Sequence, residues 1–205
     1  MISSKQELNY YIECDLKSLG LFPLTLRKKV GGVLIPSRWK LQIKLRKLEY
    51  LSTKARNTPF TNIVLAIVSK SFERYCQKLG CEIPAGVFGP GLCINHPGGV
   101  VVTGNARVGS NCRINAGVNI GEFGKFNDST QGPNAPMIGN NVYIGPGAKI
   151  FGAITIGDNV AIGANAVVNK NVPSGSTVVG VPGRNLENKG SFNLIIYGDE
   201  KFKPE

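Results

Sequence analysis

A six-residue beat runs through the middle of the chain, from Val102 to Val172. Every sixth position is β-branched and aliphatic: Val102, Val108, Ile114 and Ile120, then Ile138, Ile144, Ile150, Ile156, Ile162 and Val168. Four residues after each stands a small or apolar one, such as Ala106, Cys112, Val142, Val160 and Ala166. Side chains two apart point the same way on a strand, so Val142 with Ile144, or Val160 with Ile162, form inward pairs. The next residue is usually glycine (Gly109, Gly121, Gly139, Gly145, Gly157, Gly163), which suits a corner needing positive φ or close backbone approach. This is the sequence form of a parallel β-helix, with three strands to a coil. The hairpins of a sandwich or barrel do not hold a fixed period for so long. Ile120 and Ile138 are three whole periods apart, so the polar stretch 121–137, rich in Gly, Asn and Pro, is expected to leave the solenoid as a loop and rejoin it in phase. A loop of that length in a compact solenoid is usually functional.

The residues before the solenoid read as helical. Ser4 and Glu7 have the spacing of a capping box, followed by Leu8, Tyr11, Ile12, Leu16 and Leu19 at helical intervals and Gly20 as a stop. Residues 20–37 read as a connector carrying the basic run Arg27, Lys28, Lys29. From Arg38 to Arg56, Leu41, Leu45 and Leu48 share one face, while Lys40, Lys44, Arg46, Lys47 and Lys54 occupy the others. Such a helix either packs on a neighbouring helix, the favoured reading, or lies on a membrane surface. After Pro59, apolar residues follow the 3.6 period from Phe60 to Leu79, up to Gly80. This third helix is expected to plug the first coil, since a solenoid end needs a cap.

Residues 81–101 form the first, irregular coil. Extending the beat backward puts His96 in an inward slot, but Pro97, Gly98 and Gly99 can shift that phase. At the other end, the apolar run Phe192–Tyr197 suggests a strand beside the prism. The expected organisation is a helical segment at 1–81, the β-helix with its loop at 82–186, and a tail at 187–205.

Charge is uneven. Residues 1–81 hold fifteen Lys and Arg against five Asp and Glu, while residues 82–205 hold nine against eight. No nucleic-acid motif accompanies the basic segment, so a nucleic-acid partner is not expected. Peripheral contact with the inner face of a membrane is an expectation it does allow. Five cysteines without a CxxC pair indicate a reducing, cytoplasmic setting, and no secretory signal is evident.

Several stretches resemble one family. Glu82-Ile83, then Gly91-Leu92-Cys93-Ile94-Asn95-His96-Pro97-Gly98-Gly99, then the hexapeptides, then Gly180-Val181-Pro182-Gly183-Arg184, are similar to the serine acetyltransferase branch of the left-handed β-helix acyltransferases, particularly members found with polysaccharide biosynthesis. The resemblance implies a mainly β fold: a left-handed parallel β-helix preceded by an α-helical segment. It also implies a homotrimer, with a dimer of trimers as an extension, and acetyl-CoA as co-substrate between neighbouring prisms. It makes His96 the catalytic histidine and Glu82 the acidic residue that orients it. It places Gly145, Ala164, Lys170 and Arg184 at CoA, the last two toward its phosphates.

Two departures accompany the resemblance. The family's loop ends in Arg-His-Pro where this chain has Asn134-Ala135-Pro136, and the family's C-terminal isoleucine is replaced by Lys203-Pro204-Glu205. These losses turn the expected acceptor from L-serine to a sugar hydroxyl on a surface-polysaccharide precursor. The loop's Asn127, Asp128 and Asn134 would then contact the glycan. L-Serine remains the alternative, and a non-catalytic assembly platform a second one.

The chemistry is consistent with a single histidine. An imidazole near neutral pH can take a proton from an alcohol and return one to a leaving thiolate, and a carboxylate on its far nitrogen fixes the tautomer. A zinc enzyme on the same fold would need three histidines, and this chain has one, so no metal is expected.

Overall fold

The computed structural model describes residues 2–21, 37–54, 59–123, 134–186 and 190–204. Within them, three helices precede a three-sided left-handed prism of short parallel strands. The helices are α1 (Lys5–Ser18), α2 (Ser37–Lys54) and α3 (Pro59–Leu79). The strands are β1 (Cys93–Ile94), β2 (Val101–Val102), β3 (Arg107–Val108), β4 (Arg113–Ile114), β5 (Asn119–Gly121), β6 (Met137–Ile138), β7 (Tyr143–Ile144), β8 (Lys149–Phe151), β9 (Thr155–Ile156), β10 (Ala161–Ile162), β11 (Val167–Val168), β12 (Thr177–Val179) and β13 (Arg184–Leu186).

Each side of the prism is one sheet. The orders are β1-β4-β7-β10-β12-β13, β2-β5-β8-β11 and β3-β6-β9, and every pairing is parallel except the closing hairpin β12-β13. The beat residues stack directly: Ile94 on Ile114, Ile144, Ile162 and Val178, and Val102 on Ile120, Ile150 and Val168. Ile114, Ile144, Ile150 and Ile162 are fully buried. A side chain of that size contributes roughly 1.5–3 kcal/mol on burial, so the repeat is a column of nearly identical contributions.

The corners divide the labour differently from the sequence expectation. Left-handed φ falls on Asn111 (57°), Asn141 (56°) and Asn159 (57°), two residues after the glycines. Their amides form a ladder, with Asn111 Nδ2 donating to Asn141 Oδ1 at 2.9 Å and Asn141 Nδ2 to Asn159 Oδ1 at 2.9 Å. The glycines serve close approach instead. A Cβ on Gly139 would lie 2.9 Å from the Asp158 nitrogen, and one on Gly145 2.7 Å from the Ala164 nitrogen.

The register explains the two irregular regions. Ile94 pairs with Ile114, twenty positions on, whereas Val102 pairs with Ile120, eighteen on. The Pro97-Gly98-Gly99 segment therefore adds two residues, and Ile94 rather than His96 takes the inward slot. Val108 pairs with Ile138, thirty on. Ile120 and Ile138 are thus consecutive beats. Residues 124–133, including Asn127 and Asp128, lie outside the described residues, as does the Arg27–Lys29 run.

The helices share the core of the first coil. Leu41, Leu45 and Leu48 of α2, with Phe72 and Cys76 of α3, join the cluster containing Ile83, Phe88, Leu92 and Ile94. The cap is therefore built by α2 and α3 together. Ser4 caps α1 by accepting from the Glu7 N–H at 3.0 Å, while the Glu7 carboxylate reaches back one residue further, to the Ser3 N–H at 2.7 Å. Backbone hydrogen bonding holds the Glu7 carboxyl below its ordinary pKa.

Arg46 departs from the sequence expectation of a solvated basic face: it is fully buried. Its Nε donates to Asp15 Oδ2 at 2.8 Å and its Nη1 to Glu49 Oε2 at 2.9 Å. It also donates to the carbonyls of Phe88 and Gly89 at 2.8 and 2.6 Å. Asp15 in turn accepts from the Leu92 N–H, and Glu49 from the Gly86 N–H, both at 2.9 Å. Gln42 bonds both the carbonyl of Leu92 and the N–H of Ile94. The open edge of the first coil has no preceding coil to pair with, so its buried polar backbone needs partners. Side chains of α1 and α2 supply them. Burial pulls the Arg46 pKa down, but Asp15 and Glu49 outweigh it and hold the guanidinium protonated.

The tail corrects another expectation. Phe192–Tyr197 is turn and irregular chain, not a strand. It runs back along the asparagine ladder toward α1. Ser191 hydroxyl donates to the Asn141 carbonyl, Asn111 Nδ2 donates to the Asp199 carbonyl at 2.9 Å, and Tyr10 hydroxyl donates to Asp199 Oδ1 at 2.7 Å. The tail is held one group at a time, through Ser191, Asp199 and Phe202, rather than by a ladder of backbone bonds.

Candidate active site

His96 sits on the corner between β1 and β2, exposed. The segment that carries it is fixed from several sides. Helix α3 ends on Gly80 in the left-handed region (φ 66°), with Cys81 N–H donating to the Cys76 carbonyl at 3.0 Å and Gly80 N–H to that of Gln77 at 3.1 Å. This is the double bond of a Schellman end. The Gly80 carbonyl then accepts from Gly99 N–H at 2.7 Å, and Glu82 N–H donates to the Val100 carbonyl at 2.7 Å. From the next coil, Gly117 N–H donates to the Gly98 carbonyl at 2.9 Å.

The residue before the histidine has its own braces, which the sequence reading missed. Asn95 Nδ2 donates to Asn115 Oδ1 at 3.3 Å, and Asn115 Nδ2 to the Ile144 carbonyl at 2.9 Å. Arg38 of α2 points Nη1 at the Asn95 carbonyl, 3.5 Å away. Asn95 and Asn115 each follow a beat residue at equivalent points of successive coils, a signal visible only once the two-residue insertion is known.

The expected CoA positions divide between corners. The His96 corner continues down the prism: a Cβ on Gly99 would lie 3.3 Å from the Gly117 Cα, and one on Gly117 3.4 Å from that of Gly147. Gly145 and Ala164 lie on this same corner, Gly145 buried against the Ala164 backbone and Ala164 exposed. Arg184 adjoins its lower end, since it pairs with Val179, whose Cγ1 would lie 3.0 Å from a Cβ on Gly163. Lys170 is exposed on the following corner, after β11, the edge on which the chain passes from β8 to β9.

Glu82 precedes the His96 corner by one coil. It stacks beside Val101 on the outer face of the sheet β2-β5-β8-β11 and is exposed. It borders a cleft of about 420 Å³ formed with Phe72, Glu73, Cys76 and Gln77, whose lining does not include His96. Among the described residues, no hydrogen bond joins the histidine to this carboxylate. Nor is any group of three His, Cys, Asp or Glu side chains arranged to hold a metal ion. No described helix is long and apolar enough to cross a membrane.

The loop's return is partly described. Asn134 accepts through its carbonyl from Phe123 N–H at 3.3 Å, and Phe123 stands 6.1 Å from Phe151, ring to ring. Ala135 is buried in the prism core, 1% exposed. A polar group missing from that position therefore says little about an acceptor, because the position belongs to packing.

Comparison with known proteins agrees with the architecture. Residues 135–170 match the bacterial transferase hexapeptide family (six repeats). The serine acetyltransferase of Synechococcus elongatus is 46% identical over 112 residues, which cover 54% of this chain and 44% of that protein. The chain thus spans about half the length of the curated relatives it matches. The crystal structure of the Neisseria gonorrhoeae serine acetyltransferase in complex with serine superposes with a TM-score of 0.68 at 29% identity, covering 89% of this chain and 70% of that one. A serine acetyltransferase in complex with CoA gives a TM-score of 0.64 at 25% identity, covering 89% and 71%. The expectation of a sugar acceptor and of a link to polysaccharide biosynthesis is corrected by these relatives, which are serine acetyltransferases. It had rested on the Asn134-Ala135 departure, half of which is a core residue.

Proposed function

We propose that this hexapeptide-repeat protein, with serine acetyltransferases as its relatives, transfers an acetyl group from acetyl-CoA to the hydroxyl of L-serine. The observation that carries the reading is the shared corner: His96 stands exposed at the top of the edge that holds Gly145, Ala164 and, at its foot, Arg184. A linear thioester donor laid along that edge brings its acyl end to the histidine. The small Ala164 lets the pantetheine arm approach the backbone, and the exposed Arg184 guanidinium suits phosphate oxygens. Lys170 reaches the donor only if the nucleotide end bends toward the neighbouring corner.

In this mechanism His96 removes the proton from the serine hydroxyl as the oxygen attacks the thioester carbonyl. It then returns that proton to the CoA sulfur as the C–S bond breaks. Glu82, one coil before the His96 corner, would steady the imidazolium by accepting from its far ring nitrogen. An exposed corner supplies one wall of a cleft, which supports a homotrimer in which a second prism supplies the other.

The test is thiol release from acetyl-CoA by the full chain, with L-serine as acceptor, beside His96→Ala. Turnover with L-serine that falls by about 10²–10⁴ in the variant supports the reading. Silence with L-serine overturns the acceptor, and equal turnover in the variant overturns the role of His96. Sedimentation of the same protein as a monomer would remove the trimer.

A further inference from the structure

From sequence, α2 is an amphipathic helix expected to pack on a neighbouring helix, with a membrane surface as the alternative. The structure spends the apolar face of α2 in the core, with Leu41 and Leu45 fully buried. A different surface appears on α3. Its inner side, through Leu65, Val68, Phe72 and Cys76, packs on the shared core. Its outer side is one helical stripe at spacings of three and four: Phe60, Ile63 and Ile67, then Lys70, Arg74 and Lys78. The three apolar members are 74%, 60% and 65% exposed. Apolar groups lead the stripe and cations end it.

Helix α2 completes the surface. Lys40, Lys44 and Lys47 line a groove of about 450 Å³ against Ile67 and Val68, and this opens into one of about 510 Å³ lined by Lys70, Arg74 and Lys78. Lys44 bridges the two helices, donating to Ser71 Oγ at 3.1 Å. The exposed carboxylate on this face, Glu73, is paired with Lys70 at 2.9 Å. One cationic row therefore lies beside the stripe at Ile67 and the other continues it, with little acid of the chain's own to answer them.

We propose that this α2–α3 face docks on an anionic lipid bilayer, with Phe60, Ile63 and Ile67 entering the headgroup–acyl boundary and the lysine rows resting on lipid phosphates. Charge and apolar surface arranged on one face are what interfacial docking uses, the apolar part by burial and the cations by attraction to anionic headgroups. A nucleic acid would satisfy the cations but leave the apolar half of the stripe in water. A second copy of the same face would bring its own six cations against one exposed carboxylate, Glu73, already paired with Lys70. The polarity of the stripe adds geometry: α3 tilts, its N-terminal half deeper than its C-terminal half. The proposal stands independently of the acetyl-transfer reading, since none of these residues lies on the His96 corner.

The experiment is co-sedimentation of the full chain with vesicles of phosphatidylcholine, with and without phosphatidylserine, at low and high ionic strength. The expected result is binding to the phosphatidylserine vesicles alone, lost at high salt. Ile63→Ser/Ile67→Ser and Lys40→Glu/Arg74→Glu should each weaken partitioning by about tenfold or more, with circular dichroism and acetyl-transfer turnover in solution unchanged. No binding at low ionic strength overturns the proposal. So does binding untouched by the Ile63/Ile67 variant, which would leave only a bare charge encounter. An assembly that the same variant splits, without vesicle binding, would assign the face to copies of the chain instead.

Discussion

The prism and the helical cap bury their surfaces by opposite means. In the prism, Ile114, Ile144 and Ile162 repeat one apolar contact from coil to coil, and each coil's backbone is answered by the next. At the cap, the first coil has no predecessor, and Arg46, Asp15, Glu49 and Gln42 answer its backbone with charge and amide groups. A repeat is tolerant because its contributions are many and alike. A junction built from a few coupled ions is not, because each ion is buried on the strength of the others.

The largest expected effect breaks the junction. Arg46→Met leaves two buried carboxylates without their cation and should cost about 3–5 kcal/mol, read as a drop in the urea midpoint. Replacing all three ions, as Asp15→Leu/Arg46→Met/Glu49→Leu, sharpens the comparison. If the ions serve mainly one another, stability returns. If they serve the coil edge, Gly86, Phe88, Gly89 and Leu92 lose their partners and a deficit of more than about 2 kcal/mol persists; the edge-capping geometry favours the deficit.

A smaller effect belongs to the corner ladder. Asn141→Ala puts a side chain without a polar group at φ 56° and removes the amide bonds to Asn159 and to the tail, for about 2 kcal/mol. Asn141→Gly, which tolerates the conformation, should recover part of it in the same unfolding measurement. Within the apolar column, Ile144→Val should cost only about 1 kcal/mol. A cost equal to that of Arg46→Met would erase the distinction between the two regions.

The smallest effect is electrostatic and lies at the start of α1. The Glu7 carboxyl is depressed by hydrogen bonds from Ser3. Its contribution is therefore present above the ordinary carboxyl pKa and lost as pH falls through the folded-state value. Wild type and Glu7→Gln should differ by under about 1 kcal/mol at neutral pH and converge in acid. A difference that grows on acidification would contradict the assignment.

Much of the fold was legible because a period is a local property of the chain. The beat from Val102 to Val168 needed no partner to be read, and every residue in it has the inward place the period assigns. The roles of His96, Gly145 and Ala164 do not follow from the period; they come from the family resemblance. The phase of the first coil was not legible, because it depends on two residues inserted around Pro97-Gly98-Gly99. The acceptor was misread because Asn134-Ala135 was weighed as site chemistry when Ala135 is packing.

By itself, then, the sequence determined the solenoid and the inward places of its beat, since both follow from spacing along the chain. The tertiary structure alone decided that Arg46 is buried rather than solvated and that the tail is a strap along the ladder. A charged residue on a helix looks the same in sequence whether water or the orphan carbonyls of a coil edge surround it. Only the arrangement of distant segments says which.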